Sequence, residues 1–381
     1  MSFELSSRVI SGEGELKNIV NILKSRDLKD PAVLCDKNLY EASKYVQSCI
    51  EKLKEEFNLA FFLYDYPFEP SYQFIDSLNE EVQNSLGWDS IDCWIGIGGG
   101  SVMDSAKVLA ILAKNKGMAI EYKGFPENLN TPLPVICVPS TTGTGSEVVF
   151  NASLIDEDTK VKMGVNYIKN YPILAILDPK VVSQAPLSVL ASSGCDALVH
   201  SLESFVSPMA TSQSKMFSIM AFNLILKNMP VLLQSKGDND NWLNMQWAAI
   251  FAMYGLSNSS SGPTGALSYY LGTHFRVNHG IAGAVFIGKV SRFNHENGFH
   301  EYSDLYNGVE KNLTKEKKSL AVIDSIEELL KLAKIPNSLE GFGFKDSDIQ
   351  GFCNFRSQVD GAFKMNPIEI DDEDLITKIL N

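Results

Sequence analysis

At 381 residues the chain is long enough for two domains, each able to bury a sizeable core. Its 45% hydrophobic and 21% charged residues are those of a soluble globular protein, and a formal net charge of −13 argues against nucleic acid or an anionic membrane as the main partner. No uninterrupted apolar run approaches the roughly 20 residues of a membrane span. The opening MSFELSSRVISGEGEL has no basic region followed by an apolar stretch, so a secretory leader is not expected and the cytoplasm is the default location. Six cysteines are scattered without a CxxC pair; Cys35, Cys93 and Cys137 fall in expected strands and read as buried thiols.

The first half alternates helix and strand. Residues 14–25 carry Leu16, Ile19, Val20 and Leu23 at helical spacing; 32–35 is a short apolar strand; 40–57 is helical again. Residues 59–63 form the next strand and 72–86 the next helix. A strand at 93–97 then runs into three glycines, and 133–138 and 173–177 read as two further strands. This order predicts a parallel, doubly wound sheet. Beyond Pro186 the period changes, and 188–205, 213–233, 242–256, 281–293, 318–333, 347–355 and 373–380 all read as helix. The expected division is an α/β domain over 1–185 and an all-helical domain over 186–381.

The glycine turn, IDCWIGIGGGSVMDSAK at 91–107, is strand, turn and helix in immediate succession. Gly98, Gly99 and Gly100 would let the backbone take left-handed angles and let a ligand approach closely, and Ser101 is placed to cap the helix. Free amides and the positive end of the dipole would then face phosphates. An ordinary tight turn is the alternative. A second polar loop, PSTTGTGSEV at 139–148, also follows a strand, at the carboxyl edge where such sheets bind ligands. Asp36, directly after an early strand, would accept the ribose hydroxyls of an adenosine and repel a 2′-phosphate, favouring NAD over NADP; it could equally cap the next helix.

The helical half opens with SSGCDALVHSLES at 192–204, in which Asp196 and His200 are four apart and share a helix face. Such a pair can grip an ion or simply hydrogen-bond on the helix surface. His274 and His279 follow in GTHFRVNHGIAGAV, so three of the chain's five histidines lie in two short stretches. An aspartate with histidines suits zinc or ferrous iron.

Together these motifs resemble the iron-containing (group III) alcohol dehydrogenases, related in fold to glycerol dehydrogenase and dehydroquinate synthase. The matching pieces are GGGSVMDSAK (98–107), PSTTGTGSEV (139–148), ILDP (176–179), GCDALVHSLESFVSP (194–208), LSN (256–258) and HGIAGAV (279–285), in the family's order. The resemblance implies a Rossmann-like dinucleotide-binding domain followed by an all-α domain, NAD, a divalent metal (iron or zinc), a small alcohol or aldehyde, and a dimer or larger assembly. It implies Asp36 at the ribose, Gly98, Gly99, Gly100 and Ser101 at the diphosphate, Thr141, Thr142 and Lys162 at the cofactor's phosphate and ribose region, and Asp104 and Thr144 elsewhere among the cofactor-binding residues. Asp196, His200 and His279 would hold the metal.

One departure stands out. The family's HALAHPLG segment, with its first histidine a metal ligand and its second beside the substrate, is GALSYYLG here, placing Gly265 and Tyr269 at those positions. Glycine has no side-chain donor. His274 could replace the lost ligand or be a plain loop residue, and Tyr269 could serve as proton donor in a metal-free descendant. Ser259, Ser260, Ser261, Gly262 and Thr264, with Arg276 and Asn151, suit a phosphate, phosphonate or carboxylate on the substrate, or else form a solvated loop. The reading is an NAD-dependent, metal-assisted alcohol dehydrogenase or aldehyde reductase. Its rivals are a cyclase or lyase of the dehydroquinate synthase kind, using NAD transiently, and a degenerate nucleotide-binding member.

Overall fold

A computed structural model describes residues 3–85, 87–235, 237–310 and 312–380. They form two compact units, Leu5–Pro186 and the stretch from Leu187 onward, with Phe3 and Glu4 belonging to the second.

The first unit is built on strands β1 (Arg8–Ser11), β2 (Pro31–Asp36), β3 (Ala60–Tyr64), β4 (Cys93–Gly98), β5 (Val135–Pro139), β6 (Asn151–Ala152), β7 (Ile155–Asp156), β8 (Val161–Lys162), β9 (Val165–Asn166) and β10 (Leu174–Leu177). Six of them make one sheet in the order β1-β10-β5-β4-β2-β3, parallel throughout. Alternate residues of its central strands part to opposite faces, as the pleat requires. Val33, Cys35, Ile95, Ile97, Ile136 and Val138 join Leu16, Ile19 and Ile50 in one core. Leu34, Trp94, Val135 and Cys137 join Val102, Met103 and Leu109 in the other. Both faces are covered, which is why these strands read as continuous apolar runs.

Three features differ from the sequence expectation. Strand β1 was not foreseen: RVIS is short and half-exposed, and it becomes a strand only by pairing with β10, Arg8 opposite Leu174 and Ser11 opposite Leu177. The helix expected over 40–57 is two, Lys37–Ala42 and Lys44–Glu56, because Ser43 turns extended (φ −111°, ψ 100°) and its hydroxyl accepts the Val46 amide at 3.3 Å. The small pairs β6 with β9 and β7 with β8 have two residues per strand, too few for any alternation to register. The Tyr72–Ser85 helix matches its expected span up to Leu86, which lies outside the described residues.

The second unit is helical: Leu187–Val206, Ser212–Ser235, Asn239–Ser257, Pro263–Phe275, His279–Glu296, Lys315–Leu332 and Ile349–Gln358 are its longer elements. Leu267, Leu271, Phe286, Val290, Phe352 and Ile379 share one of its cores. The Pro263–Phe275 helix was hidden in sequence by the Ser and Gly residues before it and by the Pro that opens it. Its start is set by Pro263 in the first turn, where the missing N–H is no loss. The Ser212–Ser235 helix, expected over 213–233, is long and apolar enough to cross a membrane by length and composition, although Ser, Lys and Asn interrupt its apolar run. Here it packs against Leu187–Val206 and Asn239–Ser257.

Candidate cofactor and metal sites

In the first unit the chain leaves β2 toward β3 on one side and returns to β4 on the other, so the order of strands reverses between β2 and β4. Cys35 is opposite Ile97 in that pair, which sets Asp36 and the glycine turn side by side at the carboxyl edge. Gly98 in turn is opposite Pro139, and the Ser140 amide donates to the Gly98 carbonyl at 2.8 Å. The two polar loops therefore adjoin. This is the crevice in which open α/β sheets receive ligands.

The glycines are needed for space rather than for backbone angle. None of Gly98, Gly99 and Gly100 has a positive φ, contrary to the sequence expectation. A Cβ on Gly98 would stand 2.5 Å from Val102 Cγ2, one on Gly99 3.2 Å from Thr141 Cγ2, and one on Gly100 2.7 Å from Thr144 Cγ2. Ser101 is not the cap. The helix runs Gly100–Leu112 with Gly99 as its N-cap and no side chain satisfying its first amides, while the Ser101 hydroxyl pairs with Tyr64. An uncapped helix start at a sheet's carboxyl edge is what a diphosphate would complete.

Several residues expected at the cofactor, and Asn151, expected at the substrate, are committed elsewhere. Asp104, nearly buried, accepts from Ser146 Oγ at 2.5 Å and the Ser153 amide at 2.9 Å, and pairs with Lys107 Nζ at 3.1 Å. It pins the glycine-turn helix to the 146–153 segment. Lys107, fully buried, adds bonds to the carbonyls of Val149 (3.1 Å) and Asn151 (2.6 Å). Asn151 donates its side-chain amide to Asn166 at 2.6 Å, and Lys162 pairs with Glu69 at 2.9 Å. Thr142 is buried, and Thr144 Oγ1 accepts the Ser146 amide at 3.2 Å. Asp36 does cap its helix, Oδ1 accepting the Leu39 amide at 2.8 Å. Burial pushes the Glu147 carboxyl up to about 7, against the pull of Lys107.

In the second unit, Asp196 and His200 sit one turn apart on Leu187–Val206, and His279 is the first residue of His279–Glu296. Gly280 brings them together. A Cβ there would overlap the Ser192 carbonyl oxygen and come within 3.2 Å of Asp196 Cβ, so only glycine lets the second helix start against the first. His200 Nε2 lies 3.4 Å and His279 Nε2 3.8 Å from Asp196 Oδ1, and one donor atom from each residue falls within 4.8 Å of the others. An ion about 2.1 Å from each donor in a tetrahedron spaces its ligands about 3.4 Å apart, so this set fits a zinc-sized or iron-sized cation.

His274 does not join them. It lies exposed in the last turn of Pro263–Phe275, stacked on Tyr270 at 4.0 Å, with Nδ1 near Thr273 Oγ1 (3.0 Å) and the Tyr270 carbonyl (3.2 Å). Tyr269 does reach the centre, its ring stacked on His279 at 5.2 Å. Gly265 has no room for a side chain: a Cβ would overlap Ser261 Oγ and approach Glu203 Oε2 to 3.0 Å. Ser260 and Arg276 are separated, since one precedes the 13-residue Pro263–Phe275 helix and the other caps its far end. That helix holds their backbones about 20 Å apart, too far for one small anion between them.

Three residues escaped sequence reasoning. Glu203, buried, receives Ser261 Oγ (2.8 Å) and the amides of Gly262 (2.8 Å), Thr264 (2.6 Å) and Gly265 (3.1 Å). Gly280 was visible only as a neighbour of His279. Ser268, whose Oγ is 3.1 Å from His279 Nδ1, left no signal because the eleven-residue spacing spans a helix end.

The comparisons agree with this architecture. The model for iron-containing alcohol dehydrogenase matches residues 6–179, and that for the Fe-containing alcohol dehydrogenase family, C-terminal, matches 190–381. Alcohol dehydrogenase 4 of Schizosaccharomyces pombe is 26% identical over 97% of this chain and 86% of its own length. The NAD-dependent methanol dehydrogenase of Bacillus methanolicus is 26% identical over 92% of this chain and 91% of its own. A crystal structure of 1,3-propanediol oxidoreductase superposes with a TM-score of 0.87 at 24% identity, covering 98% of this chain and 97% of that one. This chain belongs to the iron-containing alcohol dehydrogenases. It is an oxidoreductase of the CH–OH group.

Proposed function

We propose that the chain interconverts a small primary alcohol and its aldehyde, with NAD as hydride carrier and a divalent ion, iron or zinc, held by Asp196, His200 and His279. The carrying observation is that these three side chains, from two helices, bring one donor atom each within 4.8 Å of the others. Residues 1–185 would bind the dinucleotide and 186–381 the metal and the substrate oxygen.

On this reading Asp36 takes the adenosine ribose with the carboxylate oxygen left over from its cap, and excludes a 2′-phosphate. The start of Gly100–Leu112 takes the diphosphate, with Thr141 and Thr144 packed on the glycines to hold the two loops together. The Tyr269 ring covers one face of His279. Asp196, 5% exposed, supplies the negative charge that a dication needs in a poorly solvated place. When bound, the ion polarises the substrate oxygen so that alkoxide character is stabilised as hydride leaves the carbon for the nicotinamide.

Metal analysis tests the centre. Protein reconstituted anaerobically with ferrous iron or zinc should hold about one equivalent, Asp196→Ala should hold none while still binding NADH, and only the wild type should generate NADH from small alcohols. Equal metal content and turnover in both would refute the reading, and turnover that requires NAD yet leaves it unchanged, with no net NADH, would point to a cyclase. For an anionic substrate, Arg276 is the group that remains near the centre in sequence. Arg276→Ala should raise KM for a carboxylate- or phosphonate-bearing aldehyde and leave a neutral one unchanged; equal effects would remove the anionic class.

A further inference from the structure

Ser268 has one hydroxyl proton and two polar neighbours. Its Oγ lies 2.6 Å from the Gly265 carbonyl oxygen and 3.1 Å from His279 Nδ1. A carbonyl only accepts, so the proton is committed to Gly265, and the Ser268 oxygen can meet His279 only as an acceptor. His279 must therefore carry its hydrogen on Nδ1. In the neutral ring Nε2 is then an unprotonated lone pair, 3.8 Å from Asp196 Oδ1. Ser268 is 1% exposed, so water does not compete for either bond.

His200 is the contrasting case. Among the described residues its Nδ1 is buried without a hydrogen-bond partner, while Nε2 faces Asp196 Oδ1 as an ion-pair contact at 3.4 Å. With no partner for Nδ1 among the described residues, the neutral ring keeps its hydrogen on Nε2, where the Asp196 carboxylate attracts it. A cation must displace that hydrogen before His200 can coordinate through Nε2, whereas the neutral His279 ring is already in ligand form. We infer that Ser268 is a positioning residue that fixes the His279 tautomer, making His279 the preformed ligand of the pair and His200 the one that must rearrange.

This inference rests on the proposed metal centre, but its first test does not need the metal. With five histidines in the chain, long-range ¹H–¹⁵N spectra of ¹⁵N-histidine-labelled, metal-free protein can be assigned by His279→Gln and His200→Gln. His279 should show the Nδ1–H tautomer and His200 the Nε2–H tautomer. Ser268→Ala should shift His279 toward Nε2–H and leave the signals of His295 and His300 in place, which reports an intact fold. Ser268→Thr, which keeps the hydroxyl, should restore the wild-type pattern. Zinc affinity, measured by competition with a chelator, should fall about 10–100-fold in Ser268→Ala and recover in Ser268→Thr. An Nε2–H tautomer at His279 in the wild type, or a Ser268→Ala protein unchanged in tautomer, overturns the inference. The wild-type tautomer without zinc binding would instead sink the metal reading and leave the role of Ser268 on the ring intact.

Discussion

The Glu203 carboxylate accepts the Thr264 amide at 2.6 Å and so closes the start of the Pro263–Phe275 helix from a neighbouring one. Gly262, at the N-cap, has no side chain to do this locally, and the carboxylate also meets the positive end of the helix dipole. Glu203→Ala would leave the amides of Gly262, Thr264 and Gly265 buried without their acceptor. The expected loss is about 3 kcal/mol or more in urea unfolding, with Glu203→Gln, which keeps one acceptor oxygen, losing less. A loss below about 0.5 kcal/mol would mean that the helix start is held by something else.

The contact of Gly280 with Ser192 predicts a second effect. In Gly280→Ala the added carbon would collide with backbone, which cannot rotate away, and the two helices must separate. Overpacking of this kind costs about 1–3 kcal/mol. Because His279 moves with Gly280, bound metal should be lost as well. Gly283→Ala is the control: there the new carbon meets the Val199 side chain at 3.2 Å, which can adjust, so metal content should be retained.

Asp36 has two separable roles. Asp36→Asn keeps an oxygen for the Leu39 amide and should leave stability within about 0.5 kcal/mol, since Asn caps as well as Asp. Removing the charge should raise kcat/KM with NADP relative to NAD by roughly tenfold, equivalent to about 1.4 kcal/mol of repulsion. Asp36→Ala should show the same change in preference with a further stability loss of about 1 kcal/mol. An unaltered NADP to NAD ratio in both variants would place the ribose elsewhere.

Glu147 predicts a pH dependence of stability. Burial holds its carboxyl at about 7 in the folded chain, above the ordinary 4.5. Between those values the folded state binds more protons than the unfolded one, so this group makes stability fall as pH rises, with the loss complete above about 7. Glu147→Gln cannot ionise. Its stability relative to wild type should therefore improve between pH 5 and pH 8, by an amount on the order of 3 kcal/mol. A difference that stays constant with pH would show that Glu147 is ionised in both states.

The sheet was legible because its strands are buried on both faces, and burial of that kind writes itself as unbroken apolar runs such as Cys93 to Ile97. The helices were legible where their apolar stripe is continuous. The Pro263–Phe275 helix was not, since its start depends on a carboxylate 60 residues or so away in sequence, at Glu203. Strand β1 depends likewise on a partner far along the chain.

Of the candidate site, the sequence by itself determined the kinds of group present and their local spacing. Asp196 and His200 are one helical turn apart in any fold that makes 192–204 a helix, and the glycine turn follows a buried strand. Only the tertiary structure decided which distant groups meet. It joined His279 to Asp196 through a glycine contact, excluded His274, set Ser268 on His279, and kept Ser260 and Arg276 at opposite ends of one helix. The physical reason is the same in each case. Local spacing fixes only neighbours along one element, whereas a binding site is made where elements cross, and crossings are set by close packing that a single sequence does not display.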